Sequence, residues 1–88
     1  MDVVISEHAR FEMVRRQISE EVVIGAIQHP QQIVELGKRR IVCQNKYYDS
    51  IEGEEMLLRV ICEKSHDMSF VVTSYKTSKV EKYWKEGD

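Results

Sequence analysis

The chain has 88 residues, a formal net charge of −2 at pH 7 and an isoelectric point near 5.9. Its length fits one domain, residues 1–88, and a composition of 42% apolar and 32% charged residues argues against a disordered chain. The acidic balance excludes strong non-specific binding to nucleic acid, because proteins that hold nucleic acid through its phosphates are usually basic. A local basic patch stays open, built from Lys38, Arg39 and Arg40 or from Lys76, Lys79, Lys82 and Lys85.

A first helix is predicted from about Glu7 to Gln17, with Ser6 as its N-cap. On a helical wheel its apolar residues form two strips, which predicts packing on more than one flank. The strips are Phe11, Val14 and Ile18, and Ala9 and Met13.

A second helix is predicted after Ser19, which is another N-cap, and Pro30 should end it near Gln28 or His29. Its buried face is formed by residues at helical spacing, namely Val22, Val23, Ala26 and Ile27.

The period then changes from helical to alternating, which indicates strands. Four strands are predicted, at Gln31–Leu36, Arg39–Tyr47, Met56–Glu63 and Ser69–Tyr75, with a last short helix through Val80, Tyr83 and Trp84. The sequence therefore predicts an α+β fold. Two N-terminal helices pack on one face of a four-stranded antiparallel sheet, followed by a short C-terminal helix or tail.

Location and redox state follow from what the chain lacks. No apolar run approaches the ~20 residues that span a bilayer. The N-terminus has neither the basic region nor the long apolar stretch of a secretory signal. We therefore expect a cytoplasmic protein with no membrane partner. Cys43 and Cys62 each lie in an apolar run, where cysteine behaves as a small buried hydrophobe, so we expect structural thiols.

The first helix carries the strongest candidate for chemistry. His8 lies near its start, with Glu12 one turn on and Arg15 a further turn on. Cleavage of RNA without a metal needs a group that takes the 2′-hydroxyl proton, a group that protonates the leaving oxygen, and a cation at the phosphate. Histidine suits either proton transfer. The alternative is a helix-surface histidine that pairs with Glu12.

Arg59 interrupts an apolar strand, so its charge needs a partner or a ligand. Two alternatives stay open, a salt bridge with a helix carboxylate and anion binding on an open sheet face. Tyr75 and Lys76 either line a cleft between the sheet and the tail or complete an amphipathic strand. The histidines His8, His29 and His66 lack metal-ligand spacing and there is no glycine-rich phosphate loop, so no metal and no cofactor are predicted.

The order of these residues resembles a prokaryotic family of domains of unknown function. The likeness runs from Ser6 to Tyr75 and is carried by Ser6-Glu7-His8-Ala9-Arg10, Met13, Arg16, Ile18-Ser19-Glu20-Glu21-Val22, Pro30 and Thr73-Ser74-Tyr75, with a similar tail from Lys79 to Trp84. That family in turn resembles small toxins of the RelE and BrnT type, which share an α+β fold and cleave RNA without metal.

This resemblance implies a metal-independent endoribonuclease of the toxin–antitoxin kind, or a relative that kept the fold and lost the activity. The matching positions are His8, Arg16 and Tyr75, to which we add Arg59 from its place in a strand. The implied partners are RNA and an antitoxin chain.

Two other classes of function stay open. In the first, the protein is a non-catalytic interaction domain whose sheet edge or tail, with Tyr83 and Trp84, binds a partner chain. In the second, it is a homodimer that binds a small ligand on an incompletely covered sheet face.

Overall fold

A computed structural model describes residues 2–86 as an α+β fold of three helices and one five-stranded mixed sheet. The elements in chain order are β1 (Asp2–Ile5), α1 (Glu7–Arg15), α2 (Glu20–Gln28), β2 (Gln32–Gly37), β3 (Arg40–Asp49), β4 (Glu54–Ser65), β5 (Met68–Thr77) and α3 (Val80–Tyr83).

The strands lie in the order β1-β5-β4-β3-β2. Strands β2 to β5 form antiparallel neighbours, as predicted, whereas β1 pairs parallel to β5 with Asp2 opposite Met68. The expectation of four antiparallel strands was therefore wrong in both strand number and direction. Four residues are too short to show an alternating pattern, and the partner of β1 lies near the other end of the chain.

Both predicted N-caps are present. The Ser6 hydroxyl accepts a hydrogen bond from the Ala9 N–H at 3.0 Å, and the Ser19 hydroxyl accepts one from Val22 at 3.2 Å. Helix α1 ends at Arg15, two residues earlier than expected, because Gln17 adopts a left-handed conformation with φ 57°. The Ile18 N–H then bonds back to the Met13 carbonyl at 2.9 Å, which closes the helix end.

The core lies between the two N-terminal helices and one face of the sheet. It consists of Ala9, Met13, Ile18, Val23, Ala26, Ile27, Leu58, Val60, Cys62 and Val71. Both cysteines are buried free thiols, as predicted. In the described residues, no helix is long and apolar enough to cross a bilayer.

Helix α1 packs on one flank only. Ala9 and Met13 face the sheet, whereas Phe11 is 62% exposed and Val14 is 74% exposed. The expectation of packing on two flanks was wrong, since both residues lie on the outer side of the helix, away from the core.

Candidate functional site

The Glu12 carboxylate joins α1 to β5. Its Oε2 lies 3.6 Å from His8 Nε2 and 3.4 Å from Arg16 Nη2, one helical turn away on either side. Its Oε1 accepts a hydrogen bond from the Thr73 hydroxyl at 3.0 Å. The imidazole and the guanidinium are therefore held on either side of one carboxylate oxygen. His8 is 75% exposed, so its ring faces water on the outside of the helix.

Arg16 anchors the end of α1 to the open edge of β5. Its Nη1 donates to the Ser74 carbonyl at 2.6 Å and to the Thr73 hydroxyl at 3.2 Å. These acceptors lie just beyond the point where β1 stops covering β5, since β1 pairs only as far as Val71. A bulge at Val72 shifts the register between β4 and β5 immediately before Thr73.

Arg16 also lines an open cleft of about 560 Å³ between the end of α1 and the ends of β4 and β5. Its walls are Arg15, Arg16, Gln17, Glu52, Met56, Tyr75, Lys76, Thr77 and Ser78. Arg16 and Lys76 on these walls each pair with a carboxylate, Glu12 and Asp49 respectively. Among residues 2–86, Arg15 is the cleft cation that has no carboxylate partner.

Tyr75 reaches this cleft from a row of polar side chains on the sheet face opposite the helices. The row crosses four strands in register and consists of Gln32, Gln44, Arg59 and Tyr75. Arg59 Nε donates to Gln44 Oε1 at 3.0 Å, and its Nη1 donates to the Tyr75 hydroxyl. A hydroxyl that accepts a hydrogen bond keeps its own proton to donate. The row therefore holds the Tyr75 hydroxyl against Arg59 on the sheet face opposite the helices, and Tyr75 also lines the cleft.

The C-terminal segment covers this polar row. The Tyr83 ring lies 4.3 Å from the Arg59 guanidinium carbon, and the Tyr83 carbonyl accepts from Gln44 at 3.1 Å. The Gln32 amide donates to the Lys85 carbonyl at 2.7 Å and accepts from its N–H at 3.0 Å. Arg59 thus has polar and aromatic partners on a covered face. In residues 2–86 no helix carboxylate forms a salt bridge with it, so that alternative was wrong.

The cleft residue Lys76 forms a buried ion pair with Asp49, which does not itself line the cleft. Lys76 Nζ lies 2.7 Å from Asp49 Oδ2, and the two side chains are only 8% and 6% exposed. Asp49 Oδ1 accepts from the N–H groups of Ile51 and Glu52, and the Tyr47 hydroxyl donates to Oδ2 at 2.9 Å. The pair therefore fixes the hairpin loop 50–53, which carries Glu52 into the cleft.

This environment shifts two pKa values. The hydrogen bond from Lys76, followed by the N–H of Glu52, holds the pKa of Asp49 far below its usual range. Burial, followed by the Asp49 carboxylate, raises the pKa of Tyr47, so its hydroxyl stays protonated. The charged form of Asp49 is thus favoured in the folded state.

We expect the stability of the protein to fall with acid in a way that depends on Asp49. Its folded pKa lies below the unfolded value of 3.8, so its contribution is complete above that pH and is lost as the pH falls towards the folded value. Thermal unfolding between pH 6 and pH 2.5 measures this loss. In Asp49→Asn the midpoint of thermal unfolding should depend less steeply on pH below pH 4. An unchanged dependence would contradict the assignment of this loss of stability to Asp49.

Comparison with known families adds one match. The profile of a domain of unknown function, DUF4258, covers residues 5–76. The chain belongs to the DUF4258 family. The predicted likeness to a family of unknown function is confirmed at that level, while no relationship to RelE or BrnT emerges. No curated protein and no solved structure matches the chain.

The DUF4258 match contains all four residues predicted from the sequence. The structure brings His8 and Arg16 together around Glu12, and Arg16 and Tyr75 together in the cleft. Arg59 contacts Tyr75 from behind and does not line the cleft. Tyr83, which covers Arg59, lies outside the residues that define the family.

Sequence reasoning missed two parts of the site in this DUF4258 domain. Glu52 lines the cleft, and Asp49 holds both Lys76 and the loop that carries Glu52. Arg15, which the sequence placed near His8 and Glu12, also lines the cleft. One signal could have indicated Asp49, because an aspartate that precedes a short polar, glycine-containing segment often accepts hydrogen bonds from the next N–H groups.

Proposed function

We propose that this protein is a metal-independent endoribonuclease of the toxin type that acts at the cleft between α1 and β5. One observation carries the proposal: helix α1 holds His8 and Arg16 on one carboxylate, Glu12, and Arg16 lines the same cleft as Tyr75. Tyr75 comes from the last strand, so the fold brings it to the helix that carries the other two residues.

The roles follow from the chemistry of each group. Arg16 holds the scissile phosphate with its planar guanidinium, and Arg15 adds a second positive charge. His8 accepts the 2′-hydroxyl proton, while Glu12 orients the imidazole as a positioning residue. The 2′-oxygen attacks phosphorus, and Tyr75 donates a proton to the leaving 5′-oxygen. The products are a 2′,3′-cyclic phosphate and a 5′-hydroxyl.

Arg59 acts here as a positioning residue. Its hydrogen bond to the Tyr75 hydroxyl fixes the direction of the phenol, and its positive charge stabilises the phenolate that remains after proton donation. This role differs from anion binding on an open sheet face, the other alternative that the sequence left open, because Tyr83 covers the guanidinium.

Replacing Arg16 by Gln tests the proposal, with Arg10→Gln as a matched control. Arg10 lies on the same helix and pairs with Glu20 at 2.9 Å on the surface, outside the cleft. We expect Arg16→Gln to reduce RNA cleavage roughly 100-fold, as loss of a transition-state donor does, and Arg10→Gln to leave it unchanged. Circular dichroism checks the fold of both variants. Equal losses in the two variants would contradict a specific phosphate site.

The outer edge of the sheet supports a second candidate, which is protein binding. Within residues 2–86 no strand pairs with the outer side of β2, and Ile33 and Leu36 on this strand are exposed. Such an edge can accept a partner strand, as an antitoxin chain or a second copy would supply. A stable complex with a co-encoded chain that Ile33→Lys prevents, together with no effect on RNA, would favour this candidate over cleavage.

A further inference from the structure

A second recess opens beside the cleft, on the other side of the hairpin loop. We call it the tyrosine recess, and its volume is about 250 Å³. It is lined by Gln17, Ser19, Tyr47, Tyr48, Ser50 and Ile51, among others. Gln17 lines both spaces, and the recess residue Ile51 directly precedes the cleft residue Glu52. A ligand held in the cleft would therefore extend naturally into the recess.

The chemistry of the recess differs from that of the cleft. Tyr48 is 70% exposed and Ile51 is also exposed, so a flat aromatic ring and an aliphatic side chain face water together. Among residues 2–86, Tyr48 makes no side-chain hydrogen bond and no ring contact, so its ring is free of polar and aromatic partners. Gln17, Ser19 and Ser50 supply polar groups at the rim.

The position of the loop that separates the two spaces is well fixed. Asp49 accepts the N–H groups of Ile51 at 2.8 Å and Glu52 at 3.0 Å, and Lys76 holds Asp49 from below. One buried network thus fixes the loop that separates the Tyr48 recess from the cleft.

We propose that the tyrosine recess binds an unpaired nucleobase next to the phosphate held at Arg16, so that the substrate is single-stranded RNA. The inference rests on the proposed use of the cleft for RNA. An aromatic ring beside a basic groove binds single strands by stacking. In an A-form duplex the bases stay stacked on one another and cannot enter such a recess.

Binding measurements with a 2′-O-methyl oligonucleotide test this inference separately from cleavage, since that strand cannot be cut by its own 2′-oxygen. Fluorescence anisotropy at low salt compares a single-stranded octamer with the same octamer in a duplex. We expect Tyr48→Ala to weaken single-strand binding roughly 5- to 150-fold, the range for one stacked base. Tyr48→Phe should stay within about twofold because the ring remains, and duplex binding should not depend on Tyr48.

Phe70→Ala is the matched control, because Phe70 is also an exposed aromatic residue but lines neither space. Equal binding of the octamer by wild type and Tyr48→Ala would overturn the inference, and so would an absence of single-strand binding. If RNA is cleaved and Tyr48→Ala changes neither binding nor cleavage, the proposed function stands and the inference about the recess fails. Binding that depends on Tyr48 without any cleavage would support the recess and remove the reaction.

Discussion

Replacing His8 by Ala is expected to lower the rate of RNA cleavage by about 100-fold or more while leaving the fold intact. The magnitude is that of losing one general base. The fold should be unaffected because His8 is 75% exposed and its only side-chain contact among the described residues is with Glu12. Cleavage rates of the purified variant measure the effect, and thermal unfolding verifies the fold.

His29→Ala is the appropriate control, since His29 is an exposed histidine at the end of α2 and, unlike His8, forms no ion pair with Glu12. It should leave cleavage unchanged. Glu12→Gln refines the test, because removal of a negative charge beside Arg16 should not weaken RNA binding, yet the imidazole loses its orienting carboxylate. We therefore expect a lower kcat without a higher KM. Full activity in His8→Ala would remove the proposed mechanism.

Replacing Lys76 by Met is expected to cause the largest loss of stability. The change leaves the Asp49 carboxylate buried without its cationic partner, and breaking a buried pair in this way is strongly destabilising. For a chain of this size the midpoint of thermal unfolding should fall by on the order of 10 °C or more. Differential scanning calorimetry measures it.

Two further variants sharpen this prediction. Adding Asp49→Asn to Lys76→Met should recover part of the loss, because the unpaired charge disappears while the Asn Oδ1 still accepts the loop N–H groups. Arg40→Met breaks a surface pair with Glu63 whose side chains are about half exposed, so its effect should be small. A similar effect of Lys76→Met and Arg40→Met would contradict the buried-pair account.

Because the Lys76–Asp49 pair stabilises the fold, a Lys76 variant changes stability as well as the cleft. Lys76 lines the cleft and supports the fold, so lost activity in a Lys76 variant does not by itself identify a phosphate ligand. His8 is the better probe, since its side chain is 75% exposed, whereas Arg16 also anchors α1 to β5 and its variants need the check of the fold.

Local sequence signals predicted the parts of this structure that depend on neighbours in the chain. Ser6 and Ser19 cap helices because their hydroxyls reach N–H groups three residues on. The His8–Glu12 contact follows from helical spacing of four residues. Strand β1 was missed because its pairing with β5 depends on residues at opposite ends of the chain.

The contacts of the site, by contrast, depend on residues that are distant in the chain. Arg16 reaches the Ser74 carbonyl only because α1 ends beside the uncovered part of β5, where β1 has stopped. Arg59 meets Tyr75 through the register of β4 and β5, which the bulge at Val72 alters. Neither relation has a signature in the sequence. The residue types alone therefore suggested which side chains carry chemistry. The partners of those side chains could be found only from the fold.

The integrity of messenger RNA in a cell-free translation reaction tests the central claim most directly, because ribosomes are present and both free and ribosome-dependent cleavage are detected. We expect wild-type protein to cut the message and leave 2′,3′-cyclic phosphate and 5′-hydroxyl ends. His8→Ala protein should leave the message intact. Intact RNA at an excess of folded wild-type protein would contradict the account and would favour protein binding at the β2 edge.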